Sequence, residues 1–153
     1  MEHISLQVES YRDVIDEAKS LLFRHWEEIA LDRDRVPLEP DWKRYEQLDA
    51  LGALSIVTAR AGGRMVGYSC MLVHRGLHYS PLEARMDIFW LAPEYRGRMG
   101  GIRLFKAVEK ELKRRGVKRV YVGSKLHKDS SRLFAAMSYR PIEQWFCKWL
   151  TED

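Results

Sequence analysis

The chain has 153 residues, of which 46% are hydrophobic and 31% charged, and its formal net charge is +4. This length and balance are typical of one globular domain with a buried core, so we expect residues 1–153 to form a single domain and exclude a disordered or fibrous chain. The apolar runs are too short to span a bilayer, and the first residues lack the basic and apolar regions of a signal peptide, so we expect a cytoplasmic protein.

Hydrophobic periodicity and turn residues divide the chain into helices and strands. The predicted elements are a helix from Ser10 as N-cap to about Ala30, a loop over 31–41, a short helix over 42–51, strands over 54–60, 64–74 and 84–91, a helix over 100–115 that stops at Gly116, a strand over 119–124, a short helix from Asp129 or Ser130 to Met137, and a last strand over 142–150.

The connections between these elements predict the fold class. Gly62-Gly63 forms a hairpin turn, so the first two strands should be antiparallel. The strand–helix–strand unit over 84–124 should place its two strands side by side and parallel. We therefore expect an α/β fold with a mixed antiparallel and parallel central sheet and helices on both faces.

The charge is distributed unevenly along the chain. Residues 1–76 hold 10 Lys/Arg against 13 Asp/Glu, and residues 77–153 hold 16 against 9. A basic half indicates an anionic partner, namely nucleic acid, a phosphorylated cofactor or an acidic surface, or else a solvated helix face. Seven basic residues lie on and just after one predicted helix, without a recognised nucleic-acid motif; they are Lys106, Lys110, Lys113, Arg114, Arg115, Lys118 and Arg119.

A segment rich in glycine and arginine, YRGRMGG over 95–101, joins the third strand to the following helix. A helix N-terminus presents unpaired N–H groups and a positive dipole end, and glycines let a phosphate approach the backbone. The same layout suits a plain strand–helix turn with solvated arginines, and the loop alone leaves both interpretations open. A Walker A loop and a dinucleotide fingerprint are excluded, since their Lys-Ser/Thr pair and G-x-G-x-x-G spacing are missing.

The run LAPEYRGRMGG, Leu91 to Gly101, resembles the acyl-CoA signature of the GNAT N-acetyltransferase superfamily, V-x-P-x-Y-R-G-x-G-x-G followed by an amphipathic helix. The run LFAAMSYRP over 133–141 resembles the closing L-Y-x-x-x-G-F/Y segment of that family, and the element order matches. The likeness covers roughly residues 50–150. The HY pair before the signature strand and the ending F-x-K-x-L resemble small GNAT proteins of bacteriophages and prophages.

This resemblance implies a GNAT-like acyl-CoA N-acyltransferase fold and an enzyme that transfers an acyl group directly to an amine. The co-substrate would be acetyl-CoA or another acyl-CoA, and the backbone N–H of Leu91 or of its neighbour would stabilise the thioester oxyanion. The implied contacts lie at the end of the strand and in the loop: Trp90, Leu91, Ala92, Arg96, Gly97, Arg98, Met99, Gly100, Gly101 and Ile102.

The resemblance also bears on the partners. The basic half fits the anionic co-substrate, so nucleic acid is not needed as a partner. The acceptor would be a small-molecule or protein amine. Family members are often dimers, and the last strand is a candidate for the contact between two copies.

Three positions depart from the family pattern. Met99 and Ser138 stand where the signature segments have glycine, and Phe134 stands where many members have a tyrosine general acid. We expect Met99 to be tolerated only with a negative φ and a side chain directed away from phosphate. Phe134 cannot transfer a proton, which leaves open a second interpretation: a GNAT-shaped module that binds CoA or a protein and catalyses little.

The candidate general acids and bases are chosen by their places in the predicted elements. Asp87 interrupts an apolar strand and shares strand parity with Leu91, so it is either the base for the amine or an edge-strand aspartate. His78 and Tyr79, in the loop before that strand, either relay a proton or pack the loop. Glu28, near the end of the first helix, either binds the amine or is solvated. No Cys/His cluster has zinc-ligand spacing, so we expect no metal.

Overall fold

The computed structural model describes residues 3–97 and 99–151, so the predicted contact Arg98 lies outside the described residues. The elements are strand β1 (Ile4–Glu9), helices α1 (Tyr11–Ile29) and α2 (Trp42–Ala50), strands β2 (Leu54–Ala61), β3 (Arg64–Arg75) and β4 (Leu82–Leu91), a turn of 3-10 helix (Pro93–Tyr95), helix α3 (Gly100–Arg114), strand β5 (Arg119–Tyr121) and helix α4 (Ser131–Ala136).

The strands form one sheet in the order β1-β2-β3-β4-β5. The first four strands are antiparallel to their neighbours, and β4 and β5 are parallel. Apolar residues of α1 cover one face of this sheet, and Leu104, Val108 and Leu112 of α3 cover the other. The predicted mixed sheet with helices on both faces is confirmed.

The predicted helix ends are confirmed where a local signal marks them. Ser10 caps α1, and its side chain accepts a hydrogen bond from the backbone N–H of Asp13. Gly116 follows α3 with a φ of +83°, the left-handed conformation that glycine adopts without steric cost. None of the helices within residues 3–97 and 99–151 is long and apolar enough to cross a membrane.

Both ends of the chain differ from the prediction. Strand β1 was not predicted, although Ile4, Leu6 and Val8 alternate as strand residues do; it pairs along β2 from Ile4 opposite Ala61. The predicted last strand is wrong, because residues 142–150 lie in no strand and are exposed. Strand β5, which ends at 121 and not at 124, offers that segment an edge of only three residues.

The parallel pair β4–β5 separates soon after it begins. Its register runs from Glu83 opposite Arg119 only as far as Arg85 opposite Tyr121. Strand β4 continues to Leu91, and within the described part of the chain no strand pairs with this edge of it beyond Arg85. We call the gap between 86–91 of β4 and the chain after Tyr121 the split.

Candidate active site

A β-bulge in β4 decides which side chains face which helix. Cys70 of β3 lies opposite Ile88 whereas Met71 lies opposite Met86, so Asp87 is the extra residue. Met86 packs on the α3 face, whereas Ile88 packs on the α1 face. A bulge shifts the alternation of a strand by one residue, so the expected shared parity of Asp87 and Leu91 is wrong. Asp87 faces α2, and Leu91 faces α3.

Backbone N–H groups of β4 point into the split. The N–H of Ala92 donates to the carbonyl of Val66 in 2.8 Å, so it points toward β3. Because the hydrogen bonds of an antiparallel strand alternate in direction, the N–H groups of Leu91 and Phe89 point the other way. The carbonyl of Leu91 agrees with this direction, since it accepts a bond of 2.7 Å from Nε of Arg96 and not one from β3. A ligand in the split would meet these donors.

The loop before α3 has the close approaches that its glycines predict. A Cβ on Gly100 would lie 2.3 Å from the carbonyl oxygen of Tyr95, so only glycine fits there without a shift. A Cβ on Gly97 would meet no described atom within 4 Å apart from its chain neighbours, so the loop is open on that side. Among the described residues, no side chain caps α3, whose N-cap is Met99. An uncapped N-terminus beside open space fits a phosphate group.

Both residues that replace signature glycines keep a glycine-like backbone. Met99 has a φ of +68° and Ser138 a φ of +66°. The expectation that Met99 keeps a negative φ is therefore wrong: the turn into α3 imposes the left-handed conformation, and Met99 adopts it with its side chain 57% exposed. A left-handed backbone costs a residue with a side chain roughly 1–2 kcal/mol.

Met99→Gly is expected to stabilise the protein. Relief of the left-handed strain exceeds the added freedom of glycine in the unfolded chain, so the net gain is about 0.5–1 kcal/mol, or a few degrees in Tm. Thermal unfolding measures this gain. Ser138→Gly relieves the same strain after α4 and should raise Tm by a similar amount. A lower Tm for Met99→Gly would contradict this account.

Glu28 and Arg96, predicted for the acceptor and the cofactor respectively, bind one another. Both guanidinium Nη atoms of Arg96 donate to the Glu28 carboxylate at 2.6 Å. The indole Nε1 of Trp90 donates to the same carboxylate at 2.8 Å, and Nζ of Lys128 lies 3.1 Å from it. The bonds from Arg96, followed by those from Trp90 and Lys128, lower the pKa of Glu28 to about 2 despite its partial burial. Such a carboxylate is a poor base.

Asp87 accepts a hydrogen bond that the sequence did not indicate. The hydroxyl of Tyr45 in α2 donates to its carboxylate at 2.5 Å, and burial followed by this bond raises the pKa of Tyr45 above its ordinary value. A cavity of about 50 Å³ lies beside this pair between α1, α2 and the sheet, and its lining includes Tyr68, Cys70 and Ile88. Asp87 itself is exposed, so an amine can reach it.

His78 and Tyr79 lie at the other end of β4. They precede Leu82, and the ten residues of β4 separate them from Leu91 by roughly 30 Å. The ring of Tyr79 lies under the guanidinium of Arg119 at 5.6 Å, and His78 packs edge-on against Tyr79. The structure therefore does not bring these two side chains to the donors of the split.

An aromatic cluster surrounds Phe134 on the α3 face. Phe134 is 5% exposed, and its ring centroid lies 5.9 Å from that of Phe89 and 5.1 Å from that of Phe105. The ring of Tyr139 packs against Phe134 at 5.8 Å, and burial followed by the charge of Glu109 raises the pKa of Tyr139. Phe134 therefore adjoins the split but carries no proton to donate.

A buried histidine supports the strand end behind the split. His25 of α1 is 5% exposed, its Nδ1 lies 2.8 Å from the hydroxyl of Tyr68, and its ring stacks on Trp90. Burial lowers its pKa from 6.5 to about 4, outweighing the opposing charge of Glu28. His25 is therefore neutral at neutral pH and holds no charge against Trp90.

The burial of His25 predicts that the free energy of unfolding decreases in acid. Because the unfolded chain protonates His25 near pH 6.5 and the folded chain only near pH 4, the unfolded state binds more protons in between, and stability falls as pH falls. From about pH 7 to about pH 5 the loss is about 2 kcal/mol. Urea unfolding at both pH values measures it. His25→Gln keeps a hydrogen-bonding side chain without this titration and should lose less; an equal loss in both proteins would contradict the assignment.

Several of the basic residues proposed for nucleic acid already have protein partners. Arg114 bonds to Glu111, Arg119 to Glu83, and Arg115 donates to the carbonyls of Leu54 and Gly52. These three side chains therefore have contacts within the fold that account for their presence without nucleic acid. Within residues 3–97 and 99–151, no group of three or more His, Cys, Asp or Glu side chains is arranged to hold a metal ion.

Comparisons with known proteins agree with this fold. The fold is similar to an aminoglycoside acetyltransferase from an uncultured soil metagenomic sample in complex with trehalose (TM-score 0.75, 14% identity, 98% of this chain and 97% of that one). It is similar to the ribosomal-protein-alanine N-acetyltransferase of Brucella melitensis biovar Abortus 2308 (TM-score 0.74, 17% identity, 98% and 99%). It is also similar to a predicted acetyltransferase with acetyl-CoA from Clostridium acetobutylicum (TM-score 0.71, 12% identity, 97% and 97%).

At these identities the likeness concerns the fold, and no curated protein matches the chain in sequence. The family is shown by the sequence pattern of the Acetyltransferase (GNAT) family, which matches residues 15–139 and so includes α2, the signature loop and Phe134. GNAT acetyltransferases use acetyl-CoA. The chain therefore belongs to the acetyltransferase (GNAT) family and is an N-acetyltransferase of that fold.

Proposed function

We propose that residues 1–153 act as one acyltransferase domain that transfers an acetyl group from acetyl-CoA to an amine entering on the α1–α2 face. The observation that carries this proposal is the split. Its β4 edge offers the N–H groups of Leu91 and Phe89, the N-terminus of α3 follows β4 after a short loop, and the Asp87 carboxylate lies on the α2 face. The acceptor is a small-molecule or protein amine.

The residues present fit acetyl-CoA, which supplies an acetyl group activated as a thioester. The backbone of Met99 to Ile102 at the start of α3, with Gly97 before it, would hold the pyrophosphate through N–H groups and the helix dipole. The N–H of Leu91 would donate to the thioester oxygen as it gains charge. The N–H of Ala92 is bonded to Val66 and that of Trp90 points the same way, and the Trp90 and Arg96 side chains are bonded to Glu28, so these three residues would shape the strand end without donating to acetyl-CoA.

Asp87 would hold the proton that the amine loses, and Tyr45 would orient its carboxylate. His78 and Tyr79 lie too far from Leu91 to serve the same step and would border the entrance instead. Because Phe134 has no proton to give, the leaving thiolate would take one from solvent or from another group, which predicts a slow enzyme.

A second function has one observation in its favour. The aromatic cluster around Phe134 fills the place of the usual acid, as it would in a module that binds CoA or a protein and catalyses little. Two measurements separate the functions. Calorimetry with CoA tests the loop, and thiol release from acetyl-CoA tests turnover with a panel of monoamines, polyamines, aminoglycosides and peptide N-termini. Binding with turnover supports the enzyme, binding alone supports the module, and absence of binding contradicts both.

The homodimer expected from the family stays a prediction, as does the likeness to phage and prophage members. The segment 142–150 exposes Ile142, Phe146 and Leu150, which favours a contact between copies. Light scattering after size-exclusion chromatography measures the mass, and a monomer at all concentrations would contradict the prediction.

A further inference from the structure

The C-terminal end of α1 contacts both sides of the split. We call 86–96 the β4 arm and the chain after Tyr121 the β5 arm. On the β4 arm, Trp90 and Arg96 donate to the carboxylate of Glu28, near the end of α1. On the β5 arm, the chain after Tyr121 returns to the same place. Lys128 lies 3.1 Å from that carboxylate, and Nε2 of His127 lies 2.9 Å from the carbonyl oxygen of Ile29. The two arms therefore meet again at α1.

This meeting point lies beyond the last pair of the parallel ladder, Arg85 opposite Tyr121. Past that pair, no sheet hydrogen bond joins the two arms among the described residues, whereas both arms contact Glu28. The Glu28 side chain is only 18% exposed and receives charged donors from both arms. Hydrogen bonds between charged groups are about twice as strong as neutral ones, and partial burial protects them from screening.

Arg96 also connects Glu28 to the backbone at the end of β4. Its Nη atoms bind Glu28 while its Nε holds the carbonyl of Leu91 at 2.7 Å. A guanidinium is planar and rigid, so fixing one side of it fixes the other. The orientation of the 91–92 peptide, and with it the strand end that carries the Leu91 N–H, therefore depends on Glu28, 63 residues earlier in the chain.

We propose that Glu28 is a positioning residue that ties the two arms of the split together and, through Arg96, holds the end of β4 in register for acetyl-CoA. It neither binds the acceptor amine nor takes its proton. This inference rests on the proposed function only in assigning acetyl-CoA to the split; the tie itself is a property of the free protein.

The test compares Glu28→Gln with Glu27→Gln, its neighbour on α1. Glutamine keeps the size of Glu28 but replaces one carboxylate oxygen by a donor and removes the charge, so Arg96 and Lys128 lose their anionic partner and share one remaining acceptor oxygen. Hydrogen exchange of the free protein should become about tenfold faster in peptides covering 88–92 and 124–130 for Glu28→Gln. Glu27→Gln should match the wild type.

Ligand measurements give the second readout. Glu28→Gln should weaken CoA binding in calorimetry and raise the KM for acetyl-CoA, each about tenfold, with the KM for the amine unchanged. Lys128→Met, at a half-exposed position where folding is not threatened, cuts only the β5 arm and should weaken CoA binding without disturbing the 88–92 peptide. These outcomes support the proposal. If Glu28 and Lys128 only stabilised the fold in general, the two variants would not differ in their effect on the 88–92 peptide.

Three results would overturn the proposal. The first is unchanged exchange in Glu28→Gln, and the second is a raised KM for the amine with unchanged CoA affinity, which would make Glu28 an acceptor residue. The third is equal effects in Glu27→Gln. Failure of the proposed function is distinguishable, because a wild type that binds no CoA would still show the exchange difference between the two variants.

Discussion

Gly100→Ala is expected to weaken CoA binding by about 10- to 100-fold. The new methyl group would lie 2.3 Å from the carbonyl oxygen of Tyr95 and 3.0 Å from Cδ2 of Leu91. The first obstacle is backbone in a 3-10 turn, which cannot rotate aside, so the first turn of α3 must move. Overpacking of this kind costs about 1–3 kcal/mol. The displaced backbone, Met99 to Ile102, is the segment proposed to hold the pyrophosphate. The free-energy cost therefore lowers CoA affinity as well as stability.

Gly101→Ala is the matched control, one residue further along α3. Its methyl group would meet only the side-chain end of Leu133, at 3.3 Å, which can rotate away. Alanine also favours a helix over glycine by up to about 1 kcal/mol, so Tm should stay constant or rise and CoA affinity should change little. Calorimetry and thermal unfolding of both variants make the comparison. Wild-type affinity in Gly100→Ala would show that this loop does not hold CoA.

The parts of the fold that were predictable have local causes. Ser10 caps α1, Gly62-Gly63 turns the hairpin, and Gly116 ends α3, and each of these acts within a few residues of itself. The signature loop was also found, since its glycines stand together in the chain. Its conformation at Met99 was not, because a left-handed backbone there is imposed by the turn into α3 and not by the residue.

The parts of the site that could not be predicted depend on distant pairs. In the sequence, Arg96 is a candidate phosphate ligand. Only the folded chain shows that its guanidinium is hydrogen-bonded to Glu28. Tyr45 lies in a short amphipathic helix with no sign that it will reach Asp87. The bulge that turns Asp87 toward α2 arises from pairing with β3, so strand parity counted along β4 alone gave the wrong face.

The strand predicted over 142–150 is absent for a different reason. Residues 142–150 have the apolar content of a strand, but a strand also needs an edge to pair with. Strand β5 supplies only three residues, and Trp145 instead lies beside the guanidinium of Arg85, at 5.5 Å. Sequence pattern predicted the capacity to pair, whereas pairing depends on the length of the neighbouring strand.

Asp87→Asn is expected to lower kcat about 100-fold or more while leaving CoA affinity unchanged. Loss of a positioned general base costs about 10²–10⁴ in rate. Asparagine has nearly the same shape and keeps an oxygen for the Tyr45 hydroxyl, so the fold and the α3 face should be undisturbed. Steady-state kinetics with the best amine of the panel, together with CoA calorimetry, measure both quantities.

The pH profile of the variant distinguishes a base from a residue that only shapes the pocket. Without Asp87, only amine that is already unprotonated can react, so the residual rate should rise about tenfold per pH unit below the amine pKa, which is near 10.4 for a lysine-like amine. The wild-type rate should depend on pH less steeply. A variant with the wild-type slope and a loss of only a few fold would show that Asp87 is not the base.

Two further variants separate Asp87 from its surroundings. Tyr45→Phe removes the orienting hydroxyl and should lower kcat by only a few fold, since the carboxylate remains. Asp49→Asn is the charge control: burial raises the pKa of Cys70, and the charges of Asp87 and Asp49 add to this, but Asp49 lies on α2 and not at the bulge. If general negative charge attracts the amine, both aspartate variants should raise its KM alike. If Asp87 takes the proton, only Asp87→Asn should lose kcat and steepen the pH profile, because only its carboxylate lies at the bulge beside the split.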